Sequence, residues 1–326
     1  MKAKLVLFAL LMLVVVLAVT ACNTAQPSTQ VQSASTAKSL KIGMANYTLC
    51  CAYFIGMSKA VQEEAAVYPN MQVLVTDANG DAQKLAADIE DLIAKKVDGI
   101  IISGGPLEAL PAGLEAIAKA KIPVVMVDRK LKGGEYTSWV GPDNYQIGVQ
   151  DGQFILNKLG GQGTLVVLRG GPADNTIGLD RTNGMLSVVK PTSINIVTAP
   201  DFGGWSTDGG LKLMEDMLAK NSKIDAVFCE NDSMCLGAQR AIADAKRTNE
   251  MFLVAVDGQK EALQSIMNNT NYGATGMNNS DQIGRVGFHR LMDILAGAQP
   301  PKDTVMPSPI ITADNVVKYY NPNSVF

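Results

Sequence analysis

Residues 82–105 read AQKLAADIEDLIAKKVDGIIISGG. Leu85, Ile89, Leu92 and Ile93 recur at helical spacing, and Ile100-Ile101-Ile102 then form an unbroken β-branched run that ends in glycines. Strict alternation marks a strand with one wet face, whereas a continuous apolar run suits a strand covered on both faces, as in a parallel sheet. The same unit recurs outward from this stretch. Val124-Val125-Met126-Val127 is a second continuous run, and Leu211, Met214 and Leu218 mark a further amphipathic helix. KIGMANY, MQVLVTD, TSWVGPD, GTLVVLRGG, INIVTAPD, IDAVFCEND, FLVAVDG and YGATGMNN complete the series of short runs between helical stretches. This alternation predicts an α/β fold with parallel sheets. That many strands divide more readily between two sheets than one.

The composition agrees and excludes several classes. The 326 residues carry 28 Lys and Arg against 31 Asp and Glu, a net charge of −3, and 47% are hydrophobic. Such a sequence buries sizeable cores, and its length suits about two domains. A slightly acidic balance does not provide the basic face that nucleic-acid binding needs. A single histidine, His289, argues against a His-based metal site or a Ser-His-Asp triad, and its helix IGRVGFHRLMDIL reads it as a packing or surface residue. No Gly-x-Gly-x-x-Gly, Walker loop or Gly-x-Ser-x-Gly elbow is found, so neither a cofactor nor a catalytic residue is expected.

The N-terminus reads as an address. Lys2 and Lys4 precede an apolar run from Leu5 to Val19, too short for a stable membrane span, and Val19-Thr20-Ala21-Cys22 places small residues before a cysteine. That tetrapeptide resembles the bacterial lipobox, which implies a signal peptide over 1–21 and lipidation of Cys22. Residues 22–39 are polar and Ser/Thr/Gln-rich, and read as a flexible tether spanning roughly 20–25 Å. The expected location is extracytoplasmic, with the body anchored to a membrane by lipid.

In open parallel sheets, ligands bind beyond the carboxyl ends of strands. Those ends carry Asn46, then Cys50, Cys51, Tyr53 and Phe54; Asp128 and Arg129; Arg169 and, further on, Arg181; Asp201, Phe202 and Trp205; Asn231 and Asp232; Asp257; and Asn278 and Asn279. Planar polar groups and aromatics thus collect at one edge of both sheets. Asp232, followed by Ser233, is read as a helix N-cap. Asp128, Arg129 and Asp257 are read as ligand contacts.

Several stretches resemble, in order, the ribose-type periplasmic binding proteins, the type I solute-binding components of ABC importers. They are Asp77-Ala78-Asn79-Gly80 before IEDLIAKKVDGIII, IPVVMVDR with its Asp-Arg pair, Asp180-Arg181-Thr182-Asn183-Gly184, IDAVFCENDSMCLGAQRAI, VAVDG and PIITADNV. The resemblance runs from about Leu40 to Val317. It implies two doubly wound parallel-sheet lobes joined by a hinge, with lobe one formed by 40–143 plus about 279–310 and lobe two by 144–278 plus about 311–326. It further implies a monomer that captures a monosaccharide or related polyol between closing lobes and delivers it to an ABC permease. Asp128 and Arg129 take hydroxyls from lobe one in this reading, and Arg181, Asn231 and Asp257 from lobe two. Asn278 stands at a further polar contact, and Tyr53, Phe54 and Phe202 are the aromatic walls. Asn46, Cys51 and Trp205 are candidate additional contacts.

The pattern departs from the family at Cys50-Cys51, at Ser103-Gly104-Gly105-Pro106, which lacks Asn-Pro, and at Val256, where ribose proteins carry Phe. The class follows; ribose as the ligand does not. A sensor presenting ligand to a membrane receptor would use the same pocket, a carbohydrate-active enzyme is a remote alternative, and a LacI-type repressor would need a helix-turn-helix where the lipobox and tether stand. For Cys50 and Cys51 three states stay open: free thiols beside Tyr53, a strained vicinal bridge, or pairing with Cys229 or Cys235 across the cleft.

Overall fold

The computed structural model describes residues 39–105, 111–131, 135–171 and 177–326. Residues 1–38, with the expected signal peptide, Cys22 and nearly all of the tether, lie outside the described residues.

Strand and helix alternate as the hydrophobic pattern requires. The first sheet contains β1 (Leu40–Asn46), β2 (Met71–Asp77), β3 (Gly99–Ser103), β4 (Val124–Val127), β5 (Ser138–Pro142) and β11 (Asp303–Met306) in the order β11-β5-β4-β3-β1-β2, and every pair is parallel. The second contains β6 (Gln162–Arg169), β7 (Ser193–Phe202), β8 (Ala226–Cys229), β9 (Phe252–Asp257), β10 (Tyr272–Met277) and β12 (Ile310–Thr312) in the order β12-β10-β9-β8-β6-β7. Its pairs are parallel except β12, which runs antiparallel to β10. β3, β4 and β8 are buried along their full length, because helices cover both faces of each sheet.

Helices α1 (Ala52–Ala66), α2 (Ala82–Ala94) and α3 (Pro111–Ala120) belong to the first sheet. Helices α4 (Asn144–Leu159), α5 (Ile177–Val189), α6 (Thr207–Lys220), α7 (Asp232–Asp244) and α8 (Lys260–Met267) belong to the second. Helix α9 (Ser280–Leu295) follows β10 but returns its apolar face, with Ile283, Phe288 and Leu291, to the core of the first lobe. Leu85, Ile89 and Leu92 of α2 are fully buried against Ile100 and Ile102, so helix α2 packs directly on the strand that follows it.

Helices α4 and α5 touch backbone to backbone. A Cβ at Gly148 would collide with the Arg181 carbonyl, and one at Gly184 with the Tyr145 carbonyl. This contact seats Arg181 in the first turns of α5, beneath the edge where the strands end. The backbone passes between the sheets after β5, after β10 and between β11 and β12. The final residues depart from the expected lobe-two assignment of 311–326: the Phe326 ring packs on Tyr53 in the core of lobe one, at 5.2 Å between centroids.

Candidate functional site

Each lobe brings one carboxylate to the edge where its strands end, and both stand on unusual backbone. Asp128 follows β4 with φ +66°, and Asp257 ends β9 with φ +128°. Residues with a Cβ avoid this region, and such strain concentrates at functional sites, where surrounding contacts enforce it. The enforcing contacts are visible. The Asp128 carbonyl accepts from Trp139 Nε1 at 3.1 Å. Behind Asp257, the fully buried Asp232 carboxylate accepts from the backbone N–H groups of Gly258 and Gln259, both at 2.7 Å, and from Tyr272 and Thr275 hydroxyls at 2.7 and 3.0 Å. It thereby holds the turn after β9.

In lobe one the Tyr53 hydroxyl, in the first turn of α1, donates to Asp128 Oδ1 at 2.7 Å. Its ring meets Phe54 edge-on at 5.2 Å. Arg129 follows Asp128 and is partly exposed. In lobe two Arg181 is 2% exposed and all three nitrogens of its guanidinium are engaged. Nη2 pairs with Asp257 Oδ1 at 2.9 Å, Nε donates to Asn144 Oδ1 at 2.9 Å, and Nη1 donates to the Glu230 carbonyl at 2.7 Å. Asn278 Nδ2 donates to the same Asp257 oxygen at 3.3 Å, while Asn278 Oδ1 is buried with no hydrogen-bond partner.

The two sets face each other. Burial pushes the Asp257 carboxyl up to about 6; the Arg181 charge pulls it down, and the Asp128 charge raises it. Burial likewise lifts Tyr53 far above the usual phenol range, reinforced by Asp128 and Asp257 and opposed by Arg181. Groups from both lobes therefore share one low-dielectric site.

The remaining expected contacts are placed as follows. Asn46 is fully buried, and its amide donates to the Thr76 carbonyl at 3.0 Å and to Ser58 Oγ at 3.4 Å, joining β1 to β2 and α1 within the lobe-one core. Asn231, not Asp232, is the N-cap of α7: its Oδ1 accepts from Met234 N at 3.0 Å, and its Nδ2 donates to the Trp205 carbonyl at 3.2 Å. Both ends of its side chain are engaged within lobe two. Trp205, at φ +60°, lies over Gly170 and Gly178, where a Cβ would strike its indole. Phe202 is 41% exposed, with the Arg169 guanidinium 4.7 Å from its ring centre.

Cys50 and Cys51 are free thiols. Cys229 and Cys235 are joined to each other, with Cα atoms 5.5 Å apart. Both of these partners belong to the β8–α7 junction, so this bridge stays within lobe two and does not lock the cleft. Burial and the adjacent Cys50 push the Cys51 thiol up to about 12, so it is neutral at the start of α1. His289 is an exposed partner of Glu64, at 2.9 Å.

Three buried acids stand behind the site in roles that the sequence pattern does not reveal. Asp232 anchors a turn instead of capping a helix. Glu230 accepts from Gly170 N and Thr182 Oγ1, both at 2.6 Å, and so ties β6 to α5. Asp151, on α4, is fully buried and neither carboxyl oxygen has a hydrogen-bond partner. Periodicity places such residues on a helix or strand end but does not distinguish a buried carboxylate from a solvated one. Among the described residues, no group of three or more His, Cys, Asp or Glu could hold a metal ion.

Asp151 yields a pH prediction. Burial raises its carboxyl well above the ordinary range, with Asp232 adding to the effect and Arg181 opposing it. The folded state keeps a proton that the unfolded state releases near pH 4, so this group lowers stability as pH rises above that value. Asp151→Asn removes the titration. Its melting temperature is expected to exceed that of the parent by more at pH 8 than at pH 5, by a few degrees, given about 2–4 °C per kcal/mol. Equal differences at the two pH values would show that Asp151 does not titrate in this way.

Known proteins share this two-lobed arrangement. The periplasmic binding protein domain model matches residues 42–299. The sequence is 29% identical to the ribose import binding protein of Bacillus subtilis over 88% of this protein and 92% of that one. It is also 29% identical to the xylitol-binding protein of Mycolicibacterium smegmatis, over 87% of this protein and 80% of that one. An ABC transporter solute-binding protein from Mycobacterium smegmatis, solved with bound glycerol, superposes with a TM-score of 0.80 at 27% identity, covering 88% of this protein and 99% of that one. A solute-binding protein from Actinobacillus succinogenes with bound D-allose shares the fold, with a TM-score of 0.79 at 23% identity over 86% of this protein and 100% of that one. The match spans most of the sequence and both lobes: this protein belongs to the periplasmic binding protein family, whose members are extracytoplasmic solute binders rather than enzymes.

Proposed function

We propose that the protein captures a neutral monosaccharide or related polyol between its lobes and delivers it to an ABC importer, as a monomer anchored through lipid on Cys22. The observation that carries this reading is the pair of buried carboxylates, Asp128 and Asp257, held at positive φ on facing lobes beside Arg181 and the unsatisfied Asn278 Oδ1. A carboxylate accepts from neighbouring hydroxyls, and an amide oxygen accepts one more. Arg181 and Asn278 both donate to Asp257 Oδ1, so Oδ2 is the oxygen offered to a ligand. Arg181 offsets the charge of Asp257, which suits an uncharged solute. Tyr53 and Phe54 supply apolar faces for the C–H groups of a ring or an open polyol. Hydrogen bonds to charged groups contribute about 1.5–3 kcal/mol each, so five or six, less the costs of desolvation and closure, support micromolar affinity. Relatives named for ribose, xylitol and D-allose bind solutes of this chemistry.

Thermal denaturation against D-ribose, D-allose, xylitol and myo-inositol tests the class. A ligand at about 100 times its Kd adds about 2.7 kcal/mol, a rise of roughly 5–10 °C. A rise produced only by charged solutes would overturn the reading.

Lipid anchoring has its own test. Cys22→Ser is expected to leave the precursor unprocessed or to release the protein from membranes, read by mass of the mature N-terminus and by membrane fractionation. Normal processing of the parent at Cys22 without added lipid mass would exclude the anchor.

A further inference from the structure

The last six residues, 321–326, connect the lobes a fourth time. Lys260, three residues after Asp257, donates from Nζ to the Ser324 carbonyl at 2.7 Å. Two residues on, the Phe326 ring meets Tyr53 edge-on at 5.2 Å, and its Cβ lies 3.4 Å from the position a Cβ would take on Gly56 of α1. The Phe326 N–H donates to Ser324 Oγ at 3.3 Å, which fixes the turn between these two attachments. The same segment walls a cavity of about 380 Å³ between Gly56 in lobe one and Gly258, the neighbour of Asp257, in lobe two.

We propose that residues 321–326 form an interlobe strap in which Phe326 is a positioning residue for Tyr53, setting the phenol that holds Asp128 while Lys260 ties the strap to the turn that carries Asp257. The physical case is one of degrees of freedom. Tyr53 sits in the first turn of a helix, where fraying is cheapest. Its ring is fixed by Asp128 at the hydroxyl and by two edge-on rings, Phe54 and Phe326, at its body. Edge-on aromatic pairs contribute beyond the area they bury. Phe54 belongs to the same helix as Tyr53, whereas Phe326 reaches it from a segment attached to the other lobe. The strap thus links the placement of the lobe-one site to the lobe-two turn. Its bearing on ligand binding rests on the proposed sugar-binding cleft, but its existence does not depend on which solute the cleft takes.

Hydrogen exchange on the ligand-free mature protein tests the strap alone. Phe326→Ala is expected to accelerate exchange about tenfold in peptides covering 48–58 and also in those covering 256–262, with peptides from β6 unchanged. Lys260→Met is expected to accelerate the same two regions, and Phe326→Leu, which keeps an apolar side chain, to restore most of the protection. Acceleration confined to 48–58, or absent from both regions, would overturn the strap. A second measurement tests the positioning role: for whichever of D-ribose, D-allose, xylitol or myo-inositol raises the melting temperature, Phe326→Ala is expected to weaken binding about 3–10-fold by calorimetry. Unchanged affinity would remove that role. If none of the four binds, the exchange result still decides the strap, independently of the sugar reading.

Discussion

Asp257→Ala is expected to weaken binding of the cleft's sugar or polyol roughly 10–150-fold, because a charge-assisted hydrogen bond of about 1.5–3 kcal/mol disappears with its carboxylate. The substitution removes the oxygen that neither Arg181 nor Asn278 occupies, and it also removes the anion that organises both donors. Calorimetry with the ligand found by thermal screening reads the loss, and a circular dichroism spectrum matching the parent separates it from unfolding. Affinity within about twofold of the parent would take Asp257 out of the site. It would also leave the Asp257 φ of +128° without a functional explanation.

Arg181→Ala has the largest expected effect on folding. Its side chain is 3% exposed and its Asp257 partner 9% exposed, so the ion pair is largely shielded from water. Removing one member of a buried pair leaves an uncompensated charge, at a cost of about 3–5 kcal/mol. Here the loss also frees Asn144 Oδ1 and the Glu230 carbonyl, both of which accept from the guanidinium. At about 2–4 °C per kcal/mol, the melting temperature should fall by roughly 6–20 °C. The double substitution of Arg181→Met with Asp257→Leu removes both charges together and is expected to recover much of that loss while binding no sugar. A double variant as unstable as Arg181→Ala would place the stabilisation in the Asn144 and Glu230 contacts instead of the ion pair. A recovered fold without binding would separate what these residues do for the ligand from what they do for stability.

The disulfide adds a smaller constraint on the same region. Cys229 and Cys235 bracket Glu230, Asn231 and Asp232, the residues that support Arg181, cap α7 and hold the turn after Asp257. Three supporting roles therefore fall within one short closed loop.

Local pattern was enough to lay out the architecture. Hydrophobic runs such as Ile100–Ile102 and Val124–Val127 are short-range signals, and their alternation with helical patterns specifies parallel sheets whose carboxyl ends gather Asp128, Arg181 and Asp257. The resemblance of ordered motifs added the family and the expectation of two lobes. Which of those residues meet is a matter of tertiary structure. Asn231 and Asp232 are adjacent in sequence, yet one caps a helix and the other anchors a turn 26 residues later, because sheet order brings β9 beside β8. Asn46 stands at a strand end, and because β2 pairs alongside, its Nδ2 is used on Thr76, while its buried Oδ1 has no hydrogen-bond partner. The cysteine pairing, the burial of Asp151 and the return of Phe326 to Tyr53 depend on contacts between segments distant in sequence or on the three-dimensional path of a turn. Periodicity reports the environment a residue needs, whereas the partner that supplies it is set by how the sheets are ordered and where the backbone passes between them.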